Sequence, residues 1–406
     1  MDSFECIEQI KNNLIDKLEY LDEVSDTELQ QMIGEELRRM NLELYIPIAE
    51  RVEIGKRVFD SMRKLDVLQE FLEDADVSEV MINGPSIIFY EKKGRLYRSA
   101  KSFPTEDSLL NVIQQIVAKC NRVVNESSPI VDARLLDGSR VNVVLPPVAL
   151  NGPILTIRRF PSKPLQIKDL INIDSLSEEA AAFLQHLVVA GYNIIIAGGT
   201  GSGKTTFLNA LSAFIPHDER IITIEDSAEL QIQGIDNLVR METKNANVEG
   251  SNPITIRDLI KSSLRMRPDR IIVGEVRGPE AMDMICSAMN CGHDGSMSTV
   301  HANSAIDTIA RLETMILMAV SLPIEAIRRQ IGSGVDIIVH LGRLRDKTRR
   351  VLEVVEIENG DRDIEINPIF QFVEEDKSER SRVVGKLVRC GQLKNKNKLL
   401  AAGIQI

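Results

Sequence analysis

Apolar positions repeat near every 3.6 residues in some stretches of the chain and near every second residue in others. Phe4, Ile7, Ile10, Leu14 and Leu18 recur at helical spacing. Ser25-Asp26-Thr27-Glu28 carries the reciprocal capping signature of a helix start, with Leu29, Met32, Ile33, Leu37 and Met40 following on one face. A third helical pattern runs through Val52, Val58, Met62, Leu65 and Leu72. Residues 1–67 therefore read as a helical N-terminal segment, its charges a solvated face or a partner-docking surface.

From Val77 the period shortens. Val80-Met81-Ile82 and Ile87-Ile88-Phe89-Tyr90 read as strands around the Asn83-Gly84-Pro85 turn, and Leu109, Val112, Ile113, Ile116 and Val117 mark a helix. Asp137-Gly138 sits between Val131–Leu135 and Arg140–Val144 as a hairpin turn, and Leu155–Arg159 is a last strand. This predicts a small α+β domain over 68–159, and 160–176, with Pro161 and Pro164, reads as a linker. Beyond it, strands are predicted at Asn193–Ala197, Ile221–Ile224, Arg270–Val273, Met297–Val300 and Val335–Val339. Helices at Thr205–Phe214, Thr255–Met266, Pro279–Met289 and Ile306–Met318 lie between most of them. Such alternation predicts an α/β domain over 177–373, a largely parallel sheet with helices on both faces. After Arg345 the segment to Phe372 is expected to add antiparallel edge strands. The remainder, 374–406 with Lys394–Lys398, is a polar tail expected to be loosely ordered.

Composition narrows this little: 406 residues, 43% hydrophobic and 27% charged, describe an ordinary globular chain and exclude collagen-like or wholly disordered ones. A net charge of −11 and the lack of a basic-aromatic stripe argue against a nucleic-acid partner. Five scattered cysteines without a C-x-x-C read as reduced packing thiols. The start, Met-Asp-Ser-Phe-Glu-Cys, lacks the basic and apolar regions of a secretory signal. The longest uncharged stretch, between Glu179 and Lys204, is broken by glycines and reads as a helix and a buried strand rather than a span. Any membrane contact is expected to be peripheral, from the cytoplasmic side.

Gly198-Gly199-Thr200-Gly201-Ser202-Gly203-Lys204-Thr205 fits G-x-x-x-x-G-K-[ST], between the strand Ile194–Ala197 and a helix opening at Thr205-Thr206. The glycines let backbone N–H groups converge on phosphate oxygens. Lys204 reaches the terminal phosphates, and Thr205 ligates Mg²⁺. Hydrolysis also needs carboxylates at neighbouring strand ends, and Glu225 and Glu275 each end an apolar strand, with Asp226 and Glu229 as weaker candidates. Gly292–Asn303 sets His293 and His301 among small hydroxyl residues around one strand. No further ligands accompany them at metal-binding spacing, so they suit sensing of a terminal phosphate.

These boxes, with Arg267–Gly278 and with Asp132–Asn142 and Leu155–Phe160 upstream, resemble the secretion and type IV pilus ATPases, a RecA-like P-loop fold. Within that superfamily the chain resembles the CpaF type of tight-adherence (Flp) pili. The resemblance spans roughly 68–370 and lacks the tetracysteine zinc site of some type II secretion relatives. It implies ATP and Mg²⁺ as cofactors, with Gly198 to Thr206 as the nucleotide-binding stretch. Glu225 would polarise the attacking water, and Glu275 would hold Mg²⁺ through water. His293 and His301 would form a histidine box, and Arg277 would join the catalytic set. Arg134 and Arg140 would close over nucleotide. It further implies a homo-oligomer, a hexameric ring at the inner face of the cytoplasmic membrane, coupled to a polytopic platform protein. A regulatory GTPase is disfavoured because Asn395-Lys396-Asn397-Lys398 lacks the Asp of N-K-x-D, and the complete acidic set disfavours a nucleotide-binding scaffold without turnover.

Overall fold

The computed structural model describes residues 3–18, 24–43, 45–120, 122–135, 137–159, 164–244, 253–360, 363–379 and 381–405. The chain forms two compact units, Met1–Ser162 and Lys163–Ile406. Leu136 of the hairpin motif and Phe160 and Pro161 of the expected linker lie outside the described residues.

In the first unit, helices α1 (Ser3–Leu18), α2 (Asp26–Glu43) and α3 (Ile48–Arg63) close around Ile10, Leu14, Leu29, Ile33, Ile54 and Val58. The capping signature forms as read: Ser25 N–H donates to Glu28 Oε2 at 2.8 Å, and Glu28 N–H to Ser25 Oγ at 3.3 Å. The third helical pattern is two helices. The chain breaks after Lys64, passes Asp66 at φ 51°, and restarts as α4 (Leu68–Glu73). Leu65, Val67 and Leu68 face away from the bundle into the next core. That core lies on one antiparallel sheet of β1 (Val77–Asn83), β2 (Ile88–Lys92), β3 (Arg95–Arg98), β4 (Ile130–Arg134), β5 (Arg140–Val144) and β6 (Ile154–Arg158), in the order β3-β2-β1-β6-β5-β4. The apolar face of α5 (Glu106–Lys119) covers it through Leu109, Val112, Ile113 and Ile116. Arg134 and Arg140 stand directly opposite each other across β4 and β5.

The second unit opens with α6 (Ile167–Asn172) and α7 (Glu178–Val189). Ile167, Leu170 and Leu176 are core residues there, so the second half of the expected linker belongs to this unit. Then come β7 (Ile194–Gly198), α8 (Lys204–Ser212), β8 (Ile221–Glu225), β9 (Leu238–Glu242), α9 (Ile256–Ser263) and β10 (Arg270–Val276). A short α10 (Glu280–Met282) continues as a π-helical turn, Asp283–Met289, and β11 (Met297–Val300), α11 (Ala305–Ala319) and α12 (Ile324–Gly334) follow. Last are β12 (Ile337–Arg343), β13 (Arg349–Asn359), β14 (Ile364–Glu374), β15 (Gly385–Arg389) and α13 (Asn397–Ala401).

All nine strands form one sheet, β15-β14-β13-β12-β7-β11-β10-β8-β9. From β12 to β9 neighbours run parallel; from β12 to β15 they run antiparallel. Ile194 and Ile196 pack in one layer with Phe183, Leu187, Phe207 and Leu211. Ile195 and Ala197 pack in the other with Ile260, Ile285, Ile309 and Ile327. A strand buried on both faces must read as an unbroken apolar run, as these do. The described residues of the tail pack onto this unit, contrary to expectation. Glu356 accepts the backbone N–H groups of Lys394 and Asn395, Tyr192 donates its hydroxyl to Asn395 O at 2.7 Å, and Leu393 and Leu399 are buried. Among the described residues no helix is long and apolar enough to cross a membrane.

Candidate functional site

The C-terminal ends of the parallel strands carry the site. Buried β7 runs straight into the loop 199–203, of which Gly199, Thr200 and Gly201 are exposed, and α8 starts at Lys204. Gly203 makes that turn at φ 95°, a left-handed conformation that side chains resist. Thr205 is half-buried on the first turn of α8 and Thr206 is exposed. The Lys204 ammonium turns back into the loop, donating to Gly198 O at 3.0 Å and Gly199 O at 3.2 Å. Burial lowers its pKa, partly offset by Glu275.

Strand order explains which candidates meet. Next to β7 lies β11, then β10, then β8. His301 follows β11, and its two ring nitrogens lie 3.3 and 3.5 Å from Lys204 Nζ. Its Nε2 is 2.7 Å from Glu275 Oε1, on β10. The other oxygen, Glu275 Oε2, accepts from Arg277 Nε at 2.8 Å, and Arg277 Nη1 reaches Asp226 Oδ2 at 3.7 Å. Lys204, His301, Glu275, Arg277 and Asp226 thus form one polar chain across four strand ends. Burial pushes the His301 pKa down. The pull of Glu275 is opposed by Lys204 and Arg277, so the ring stays neutral at pH 7.

Glu225 stands at the end of β8, three strands from the loop. It is 3% exposed, and its Oε1 accepts the backbone N–H groups of Glu229 (2.8 Å) and Leu230 (2.9 Å). Its Oε2 is buried with no hydrogen-bond partner among the described residues. Burial raises its pKa to about 7, against the lowering effect of those two backbone bonds. A carboxylate held by one oxygen, with the other unsatisfied and a pKa near neutrality, is suited to accept a proton from water. Gly274, on the neighbouring β10, makes room for it: a Cβ there would lie 2.9 Å from Glu225 Cγ. We expect Gly274→Ala to cost about 1–3 kcal/mol by overpacking against this tethered side chain. Denaturant unfolding measures it, and an unchanged midpoint would show that Glu225 moves aside freely.

His293 is not brought to the loop. It precedes β11 whereas His301 follows it, so the strand separates them by roughly 13 Å at ~3.3 Å per residue. His293 lies at the opposite end of the strands, where Ser296 Oγ donates to its carbonyl at 2.7 Å. Arg134 and Arg140 lie in the other compact unit. Two residues absent from the expected set do reach the loop. Arg349 Nε donates to Gly201 O at 2.9 Å, and Arg343 stands opposite Arg349 across β12 and β13. Their sequence signal was the arginine-rich turn at 343–350.

Among the described residues no cluster of three or more His, Cys, Asp or Glu is arranged to hold a metal ion by itself. One hydroxyl and one carboxylate, Thr205 and Glu275, fit instead an ion carried largely by phosphates and water, the usual mode of Mg²⁺.

The profile of the family described as type II/IV secretion system protein matches residues 62–399. The chain is 34% identical over 294 residues to a putative conjugal transfer protein of Mycobacterium tuberculosis, covering 71% of this chain and 83% of that protein. It is 35% identical over 297 residues to the conjugal transfer protein TrbB of Rhizobium radiobacter, covering 72% and 87%. To the type IV secretion system protein PtlH of Bordetella pertussis it is 32% identical over 317 residues, covering 71% and 93%. Among solved structures, the pilus retraction motor PilT with bound ADP matches at 20% identity and a TM-score of 0.52, covering 75% of this chain and 82% of that one. The Legionella pneumophila ATPase DotB matches at 21% and 0.51, covering 70% and 79%. At those identities the likeness to the solved structures is one of fold.

Proposed function

The chain belongs to the type II/IV secretion system protein family and is an ATPase, and from that premise we propose that it is a Mg²⁺-dependent motor whose turnover drives filament assembly or export across the cell envelope. The observation that carries this is the polar chain from Lys204 through His301 to Glu275, closed at the mouth of the phosphate loop. In this reading Lys204 and the loop N–H groups hold the phosphates, and Thr205 and Glu275 hold Mg²⁺, which would neutralise phosphate charge and order water. Glu225 takes the proton of the attacking water. Neutral His301 stands between Lys204 and Glu275, 3.3 Å from the Lys204 ammonium and 2.7 Å from the Glu275 carboxylate.

We further propose a hexameric ring docked peripherally on a polytopic platform protein at the cytoplasmic face of the membrane, in the tight-adherence branch. A second reading, a type IV secretion or conjugal-transfer motor, is favoured by the relatives just described. Deleting the gene separates the two: loss of surface filaments with transfer and secretion intact supports the first, and the reverse supports the second.

Arg134 and Arg140 are proposed to neutralise transition-state charge on the terminal phosphate. Arginine suits this because its planar fork donates bidentately to phosphate oxygens. Purified protein should hydrolyse ATP, lose turnover on Mg²⁺ chelation, and become more active per subunit as concentration rises. Arg134→Ala or Arg140→Ala should cut turnover at least tenfold with folding and assembly intact. Wild-type turnover in both variants would leave these arginines as surface charges.

A further inference from the structure

The polar chain described above lies wholly on one side of β7, over β11, β10 and β8. The other side of the loop is framed by the β12–β13 hairpin, and it is cationic. Leu341 on β12 pairs with Gly198, so Arg343 projects two residues beyond the strand pairing and over the loop. Arg349 comes back on the opposite strand, its Nε on the Gly201 carbonyl at 2.9 Å. A Cβ at Gly201 would lie 3.9 Å from Arg343 Nη1, and one at Gly203 would lie 3.5 Å from Arg349 Cδ. Both guanidiniums therefore line the crest of the loop, and both are exposed.

Their pairing is the telling feature. Like charges directly opposite across two strands are unfavourable unless something neutralises them. Of the hairpin's other two arginines, Arg345 pairs with Glu374, and Arg350 is turned away from the loop and buried, donating to Asp174 O at 3.0 Å and packing over the Phe372 ring. Arg343 and Arg349 have no carboxylate partner among the described residues. Two uncompensated cations held side by side at the lip of a phosphate loop form a site for an anion.

We propose that Arg343 and Arg349 bind the diphosphate portion of the nucleotide from the same chain, on the side of the loop opposite Glu275. Arg349 exchanges the Gly201 carbonyl, a neutral acceptor, for a phosphate oxygen, a charged one, and Arg343 joins it. The diphosphate is the expected target because Lys204, His301 and Glu275 occupy the side where the terminal phosphate and its water react. The clamp therefore serves ATP and ADP alike. It adds ground-state binding and leaves the chemical step to the other side.

This rests on the ATP reading of the loop, and the test separates the two. ADP and ATP binding to the full chain are measured by calorimetry, with KM and kcat alongside, for wild type, Arg343→Ala, Arg349→Ala, Arg349→Lys and Lys204→Ala. Each alanine variant should weaken ADP and ATP equally, on the order of ten- to a hundredfold for a charge-assisted bond. KM should rise with Kd, and kcat should fall by less than that factor. Arg349→Lys should recover part of the affinity and, by keeping the charge, control for folding. Wild-type affinity in both alanine variants would overturn the proposal. So would a loss confined to kcat, which would make Arg349 a residue that only positions the loop through Gly201. Failure of wild type to bind nucleotide, or Lys204→Ala binding as wild type does, would strike the ATP reading itself.

Discussion

Replacing Lys204 by alanine should lower kcat/KM for ATP by about 10³–10⁴-fold, through both binding and turnover. One preorganised donor to a reacting oxyanion is worth about 10²–10³ in rate, and loss of a charge-assisted bond to the phosphates weakens binding by about another tenfold or more. The structure adds a reason for severity. The Lys204 ammonium sits on the carbonyls of Gly198 and Gly199 and within 3.5 Å of both His301 nitrogens. Its removal vacates the centre of the loop and takes away one of the charges that keep His301 neutral. Lys204→Arg should rescue little, because the guanidinium is too bulky for the space between the Gly198 and Gly199 carbonyls and the His301 ring. Fold should survive, since the core of this unit lies beneath the strand ends, so circular dichroism and melting provide the control. Near-normal kcat/KM in Lys204→Ala would refute the phosphate-loop assignment.

Much of that site was legible before any coordinates, and the reasons differ by residue. Glu275 and Glu225 could be placed because parallel strands share a direction, so a carboxylate ending any of them faces the same crevice. The same rule, applied to β11, separates His293 from His301: a strand of four residues puts a histidine before it and one after it at opposite ends of the sheet's strands. Proximity in sequence hid that. Strand β9 escaped because Leu238–Glu242 alternates like an edge, half-buried and weakly apolar, where its neighbours are unbroken apolar runs. The tail escaped for another reason. One of its anchors is the buried carboxylate of Glu356, which satisfies two backbone N–H groups some forty residues away, and no periodicity announces such a contact. The Arg343–Arg349 pair was invisible as a site because only the β12–β7 register sets that turn against the phosphate loop.

Glu225→Gln should lower kcat by about 10²–10⁴-fold, the range for loss of a general base, while nucleotide affinity stays near wild type. The amide keeps the oxygen that accepts from Glu229 and Leu230, so the backbone tether survives and only the proton-accepting charge is lost. The wild-type carboxyl has a pKa of about 7, raised from 4.5 by burial, which fixes two pH dependences of opposite sign. A base must be ionised to act, so wild-type kcat should climb with pH through about 7 and level off above it. Stability moves the other way. A carboxyl whose folded pKa exceeds its unfolded one binds its proton more tightly when folded. Its contribution is therefore most favourable below about pH 4.5, declines as pH rises through 7, and is flat beyond. Gln titrates nowhere in this window, so Glu225→Gln should flatten both slopes, gaining stability over wild type above pH 7 while losing turnover. Unfolding midpoints and kcat measured from pH 5 to 8.5 on both proteins decide the matter. Parallel stability curves would mean that Glu225 is already ionised when folded at pH 5, and a wild-type rate in Glu225→Gln would remove it from the chemistry.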